Sequence, residues 1–149
     1  DIPLENQFFD KIICVGSVLN YCNAQSAISE LSRVLKSDGI LVLEFERSAS
    51  AQFLFSSEYN QPIHPQWYEY NNQKHLLWLY SEKYIKSLLK IYDFNLLDIK
   101  RFHTFSAVFS RHEYLTKDAI LSRAIACDKL GMPISSLIAH NAIFLCQKK

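Results

Sequence analysis

The sequence predicts an α/β fold, a largely parallel sheet flanked by helices, and three observations carry the prediction. Short β-branched runs bounded by turn residues alternate with amphipathic stripes of helical spacing. The first two such runs, residues 11–15 and 40–45, enclose a single helical stripe, which is the pattern of a β-α-β unit. Finally, 149 residues with 49% hydrophobic and 21% charged side chains are enough for one packed core and are unlike a disordered or fibrous chain.

The elements follow in order. Lys11-Ile12-Ile13-Cys14-Val15, set between Asp10 and Gly16, fits a strand buried on both faces of a parallel sheet. Ala27, Ile28, Leu31, Val34 and Leu35 then recur at three- and four-residue steps, with Asn23 as N-cap, Gly39 just past the end, and Glu30 and Arg33 on the outer face. Ile40-Leu41-Val42-Leu43-Glu44-Phe45 reads as a second buried strand, so residues 1–46 form a β-α-β unit whose strands open on one edge. Residues 47–80 break the regularity with Pro62, Pro65, two histidines and a run of aromatics, and read as a lid or substrate excursion. Inside it, residues 67–70 and 75–80 flank Asn71-Asn72 as in a hairpin. Ser81 is an N-cap candidate for a stripe of Tyr84, Ile85, Leu88, Leu89 and Tyr92, with a strand over residues 95–101 behind it. Residues 116–130 read as a third helix closed by Gly131 and Pro133, and residues 141–146 as a last strand, completing an 81–149 α-β and closing helix-strand segment within one domain.

The net charge of +1, with Lys and Arg scattered singly, leaves no basic footprint for nucleic acid or an anionic membrane. No apolar run reaches the roughly 20 residues that a membrane-spanning helix needs, and the chain is read as cytoplasmic. Cys14, Cys22, Cys127 and Cys146 form no C-x-x-C pair and read as buried thiols. His64, His75, His103, His112 and His140 lack metal-ligand spacing, so no metal is expected. With only Gly16, Gly39 and Gly131 available, no phosphate cradle can form, and no G-x-S-x-G elbow occurs. Hydrolase and nucleotide-kinase chemistry drop out.

In such sheets ligands bind beyond the carboxyl ends of the strands. The first strand ends in Gly16, Ser17 and Val18, with Asn20 and Tyr21 on the following loop, and the second ends at Glu46. Trp67 and Trp78 lie in the aromatic excursion, together with His64 and His75, where they would overhang that edge.

Three segments resemble the class I, Rossmann-like, S-adenosylmethionine-dependent methyltransferases. Pro3-Leu4-Glu5-Asn6-Gln7-Phe8-Phe9-Asp10, followed by Lys11-Ile12-Ile13-Cys14, is similar to that family's L-P-F-x-x-x-S-F-D-x-V entry to its fourth strand. The run from Ile28 through Glu30, Arg33-Val34-Leu35-Lys36 and Gly39 to Val42 is similar to its E-x-x-R-V-L-K-P-G-G-x-L helix and fifth strand, the most specific of the matches. His75 to Ser81, through Asp93-Phe94-Asn95-Leu96, resembles the approach to its sixth strand. Ser37-Asp38 replaces the usual Pro-Gly and Asp93 a common Gly, both at turns where Asp tolerates left-handed backbone.

The resemblance implies the last four strands of a seven-stranded sheet, the final one antiparallel. It implies S-adenosylmethionine as cofactor, with Gly16, Ser17 and Val18 as the remaining floor of its site and the half that holds most of the cofactor absent. The expected reaction is methyl transfer to a small-molecule acceptor bound near Asn20, Tyr21, Trp67 and Trp78, with His75, His64, Tyr21 and Glu46 as candidate bases by position. An apolar first strand at a sheet edge also calls for a partner, so a second copy of the chain or a missing N-terminal segment is expected over residues 12–15. The alternatives are a catalytically silent methyltransferase-like module that associates through this edge and, last, a nicotinamide oxidoreductase, which shares the sheet but whose glycine fingerprint is absent.

Overall fold

The computed structural model describes residues 2–70, 72–104 and 135–149. In chain order these form β1 (Phe9–Cys14), a short 3-10 helix (Val18–Tyr21), α1 (Ala24–Val34), β2 (Leu35–Glu46), β3 (Ile63–Tyr70), β4 (Gln73–Tyr80), α2 (Glu82–Ile91), β5 (Phe94–Phe102) and β6 (Asn141–Lys148). The expected third helix over residues 116–130, with Gly131 and Pro133, lies outside the described residues, as does Cys127.

Four strands make one sheet in the order β1-β2-β6-β5. β1 and β2 run parallel, with Ile12 opposite Leu41 and Cys14 opposite Leu43, while β6 runs antiparallel to both β2 and β5. The partial sheet with its last strand reversed is thus the one expected. Both helices start on side-chain caps where the sequence places them. Asn23 Oδ1 accepts the Ser26 N–H at 3.0 Å, and Ser81 Oγ accepts the Tyr84 N–H at 3.2 Å.

The core lies on one side of the sheet. Leu41, Leu43 and Phe45 of β2 and Ala142, Phe144 and Cys146 of β6 pack against Ile28 of α1 and Ile85 and Leu89 of α2, and all are buried. The other face is more open: β2 alternates buried with half-buried residues, and Ile13 of the edge strand β1 is 71% exposed. Burial of the first two strands on both faces, expected from their apolar runs, is therefore corrected, because both described helices cover the same face.

The end of α1 needs a second correction. The helix stops at Val34; Leu35 is extended and pairs with Phe9, although its spacing continues the helical stripe. Leu35 is fully buried as the first residue of the strand. Gly39 is consequently no helix cap but part of β2, where a Cβ would come within 2.7 Å of the Leu35 side chain and 2.8 Å of the Lys36 carbonyl oxygen. The left-handed turn residue is Asp38, at φ 62°, and Asp93 has φ 62° as well, so both Asp substitutions in the resemblance occupy left-handed positions.

The excursion contains the expected hairpin, β3 paired antiparallel with β4. Tyr70 pairs with Gln73, and Asn72 between them stands at φ 59°. Cys146 is fully buried, whereas Cys14 and Cys22 are only half-buried, and all three are free thiols. No helix among the described residues is long and apolar enough to cross a membrane.

Candidate functional site

β1 and β2 end on one edge, β5 ends beside them, and β6 begins there: Glu46 and Phe102 both stand opposite Asn141. Beyond β1 the chain turns sharply through Gly16 at φ 78° and Ser17 at φ 58°. A Cβ on Gly16 would touch nothing within 4 Å, so backbone conformation, not crowding, favours glycine here, and the space over the turn is open to a ligand. The Gly16 N–H donates to Glu44 Oε2 at 2.6 Å, and Asn141 Nδ2 donates to Glu44 Oε1 at 3.1 Å. Val18 is half exposed and lines a cavity of about 400 Å³ with Cys14, Leu19, Cys22, Ala27 and Leu31.

Asn20, expected at the substrate, is fully buried. Its Oδ1 accepts the Glu46 N–H at 2.8 Å, and its Nδ2 donates to the Glu46 and Trp78 carbonyls at 3.1 and 2.7 Å. With its hydrogen bonds used inside the protein, Asn20 ties the end of β2 to β4 instead of contacting a substrate.

Glu46 itself faces His140, whose Nε2 lies 3.0 Å from Glu46 Oε2 and whose Nδ1 lies 3.2 Å from Ser50 Oγ. The main chain of His140 is held between two strand ends: its N–H donates to the His103 carbonyl at 3.0 Å and its carbonyl accepts the Arg47 N–H at 2.7 Å. The Arg47 side chain fixes the segment before β6 as well, donating to the Ala139 carbonyl at 2.5 Å and the Leu137 carbonyl at 3.1 Å. Its Nε sits 2.9 Å from Glu82 Oε1 without pointing its N–H there, so that contact is ionic and not a hydrogen bond. Arg101 completes the group with bonds to both Glu82 oxygens at 2.6 and 2.8 Å. Burial lowers the Arg47 pKa. Burial alone would raise that of Glu82, but the Arg101 hydrogen bond and the charges of both arginines outweigh it and hold the carboxyl below its ordinary value.

The aromatic candidates are not gathered into one pocket. His64 and His75 share one face of the hairpin with buried Leu77 and Leu79, and Trp67 and Trp78 share the other. His75 meets Tyr21 edge to face, with ring centroids 6.5 Å apart, and His64 meets Phe53 at 4.9 Å while hydrogen-bonding Gln66. Trp78 lines a 150 Å³ cleft with Asn23, Tyr80 and Tyr84, and Trp67, 63% exposed, borders a separate hollow with Tyr68, Glu69 and Lys74. Among the expected residues the structure therefore unites Tyr21 with His75, and Gly16 with the Glu44 and Glu46 edge. Sequence reading missed Ser50 and His140. His140 had one usable signal: it directly precedes a strand that, if antiparallel, starts at the carboxyl edge.

Residues 1–43, which build β1, α1 and most of β2, match the profile of a methyltransferase domain. A 41-residue stretch is 46% identical to an uncharacterized protein of Methanocaldococcus jannaschii, a match over 28% of this chain and 16% of that protein. A Listeria monocytogenes protein assigned as an S-adenosylmethionine-dependent methyltransferase superposes with a TM-score of 0.65 at 9% identity, over all of this chain and 65% of its own. The 1,6-didemethyltoxoflavin-N1-methyltransferase of Burkholderia thailandensis, solved with 1,6-didemethyltoxoflavin and S-adenosylhomocysteine, superposes with a TM-score of 0.51 at 14% identity, over 97% of this chain and 45% of its own. The chain thus spans between about half and two thirds of the solved structures it matches, and its fold is that of the class I, Rossmann-like methyltransferases.

Proposed function

We propose that this chain is part of an S-adenosylmethionine-dependent methyltransferase acting on a small-molecule acceptor. The observation that carries the proposal is that the methyltransferase profile covers the β1-α1-β2 unit, including the left-handed Gly16-Ser17 turn at the carboxyl edge. The residues present suit the cofactor: the backbone at Gly16 is unobstructed, Val18 adds an apolar wall, and the Glu44 carboxylate supplies negative charge next to a cation. Bound S-adenosylmethionine would supply a methyl group already activated by its sulfonium. What remains for the protein is to hold the acceptor in line with that methyl group, exclude water and place any proton the acceptor loses. Tyr21 and His75, half open and in ring contact, are the aromatic surface for a planar or apolar acceptor. The exposed edge of β1 takes a further strand, from an N-terminal segment or a second copy, to complete the cofactor site.

Titration calorimetry with S-adenosylmethionine and S-adenosylhomocysteine, on this chain and on an N-terminally extended form, tests the reading. Binding by the extended form alone supports methyl transfer with a site completed by the added segment, and binding by this chain alone supports a site shared between copies. Binding by neither removes the methyl-transfer reading. The open β1 edge would then favour a catalytically silent module that pairs through that strand, visible as a dimer in sedimentation.

A further inference from the structure

Three polar side chains from separate stretches of the chain meet at the carboxyl edge: Glu46 at the end of β2, Ser50 four residues on, and His140 just before β6. An ionised carboxylate only accepts hydrogen bonds, so its contact with His140 Nε2 places the ring N–H there. In the neutral ring Nδ1 then carries the lone pair, and the Ser50 hydroxyl donates to it. Burial grows along the series: the Glu46 side chain is 15% exposed, that of His140 12%, and Ser50 is 1% exposed. The member nearest solvent is the carboxylate, and the buried members stand behind it. Purely structural needs do not call for such a group, because apolar side chains would close the same space without desolvating a carboxylate and an imidazole.

Its place is equally telling. Glu44, two residues before Glu46 on the same strand, binds the Gly16 N–H on one side and Asn141, the neighbour of His140, on the other. A hydrogen-bonded line therefore runs from the Gly16-Ser17 turn across β1, β2 and β6, two strand spacings or about 10 Å, a span that a small molecule bridges.

We propose that Glu46 takes the proton from the methyl acceptor and that His140, fixed by Ser50, is the positioning residue that orients it, which makes the acceptor a hydroxyl or a protonated amine. The inference rests on the methyl-transfer reading. In the transfer the acceptor's lone pair forms the new bond to carbon, the electron pair of the old carbon–sulfur bond stays on sulfur, and the acceptor's proton passes to the Glu46 carboxylate, which later releases it to water. Acceptors without a proton, such as a thioether or a tertiary amine, have no use for this group. Among the described residues, Glu46 is the titratable group at the imidazole, Arg47 and His103 bond the His140 main chain, and Glu44 bonds its neighbour Asn141.

The test combines kinetics and histidine-ring NMR on the cofactor-binding form, with phenol, benzylamine and dimethyl sulfide as probe acceptors. Turnover of phenol or benzylamine is expected, and none of dimethyl sulfide. Glu46→Gln should lower kcat about 100-fold. His140→Phe should lower kcat with KM unchanged and displace the acid limb of the pH–kcat profile, whereas His140→Gln, which keeps an N–H donor, restores most of the rate. The His140 ring should rest as the Nε2–H tautomer, and Glu46→Gln should shift its nitrogen resonances. Equal turnover of dimethyl sulfide, turnover of none of the probes by a protein that binds S-adenosylmethionine, an unchanged kcat in Glu46→Gln, or an Nδ1–H ring overturns the proposal. A protein that binds no S-adenosylmethionine fails the methyl-transfer reading instead, and the ring tautomer then decides whether Glu46 orients His140 as inferred.

Discussion

At the end of the sheet where β2 begins and β6 finishes, the charged groups are in contact with water. Lys36 reaches Asp10 at 2.9 Å with side chains 45% and 80% exposed, and Arg33 grips Glu30 at 2.8 Å with side chains 29% and 25% exposed. At the carboxyl end, Arg47 and Glu82 meet at 2.9 Å with side chains 5% and 12% exposed, and Glu46 and His140 are nearly as enclosed. Exposed ions can be hydrated one by one when a partner is lost, so each pair contributes little. Enclosed ions are shielded from water, so removing one leaves its partner's charge poorly compensated. The amino end is therefore expected to tolerate the loss of a charge, and the carboxyl end to lose stability with it.

Replacing Arg47 should separate the two ends most clearly. Arg47→Met leaves the Leu137 and Ala139 carbonyls without their donor and one charge fewer on Glu82, at a cost of about 3–5 kcal/mol in urea denaturation. A loss below 1 kcal/mol would mean that the carboxyl end is as tolerant as the other. Asn20→Ala comes next, because it strands the Glu46 main chain and the Trp78 carbonyl inside the protein. The expected loss is about 1–3 kcal/mol by the same measurement, with faster hydrogen exchange at Glu46.

Acid sharpens the contrast further. Glu82 has a folded pKa below its ordinary value of 4.5. The stability it contributes is fully present above pH 4.5 and is lost as the pH falls through the lowered folded value. Stability against pH should therefore decline below 4.5, and Glu82→Gln, already weaker at neutral pH, should show a shallower decline; an identical slope would remove Glu82 from the account. Glu30, pulled down to about 2 by the Arg33 hydrogen bond, titrates with the same sign but in solvent. Arg33→Ala should accordingly have the smallest effect of the series, and raising the salt to about 1 M should erase most of its electrostatic part. A salt-independent loss would show that the bonds from Arg33 to the Ile2 and Leu4 carbonyls, not its charge, matter at this end.

Much of the fold was legible because its signals are local. Asn23 and Ser81 sit within three residues of the N–H groups they cap, and the paired strands of the hairpin are separated by only two residues. Leu35 misled because it satisfies two periodicities at once, closing the helical stripe and opening the strand, and only its pairing with Phe9 decides between them. Tyr21, Glu46, Gly16 and Ser17 were named from their places at strand ends, and they do lie at the carboxyl edge. Asn20 was named on the same ground and turned out to be fully occupied with Glu46 and Trp78, 26 and 58 residues away.

By itself, then, the sequence determined most of the described elements, the N-caps of both described helices, the parallel β1-β2 pair and the resemblance that orders the sheet, since spacing, turn chemistry and capping act over a few residues. The tertiary structure alone decided which strand faces stay open, that Trp67 and Trp78 lie on the opposite hairpin face from His64 and His75, and that His140 meets Glu46 across 94 positions of chain. A contact over that distance follows from where β6 enters the sheet, and no local pattern of residues encodes it.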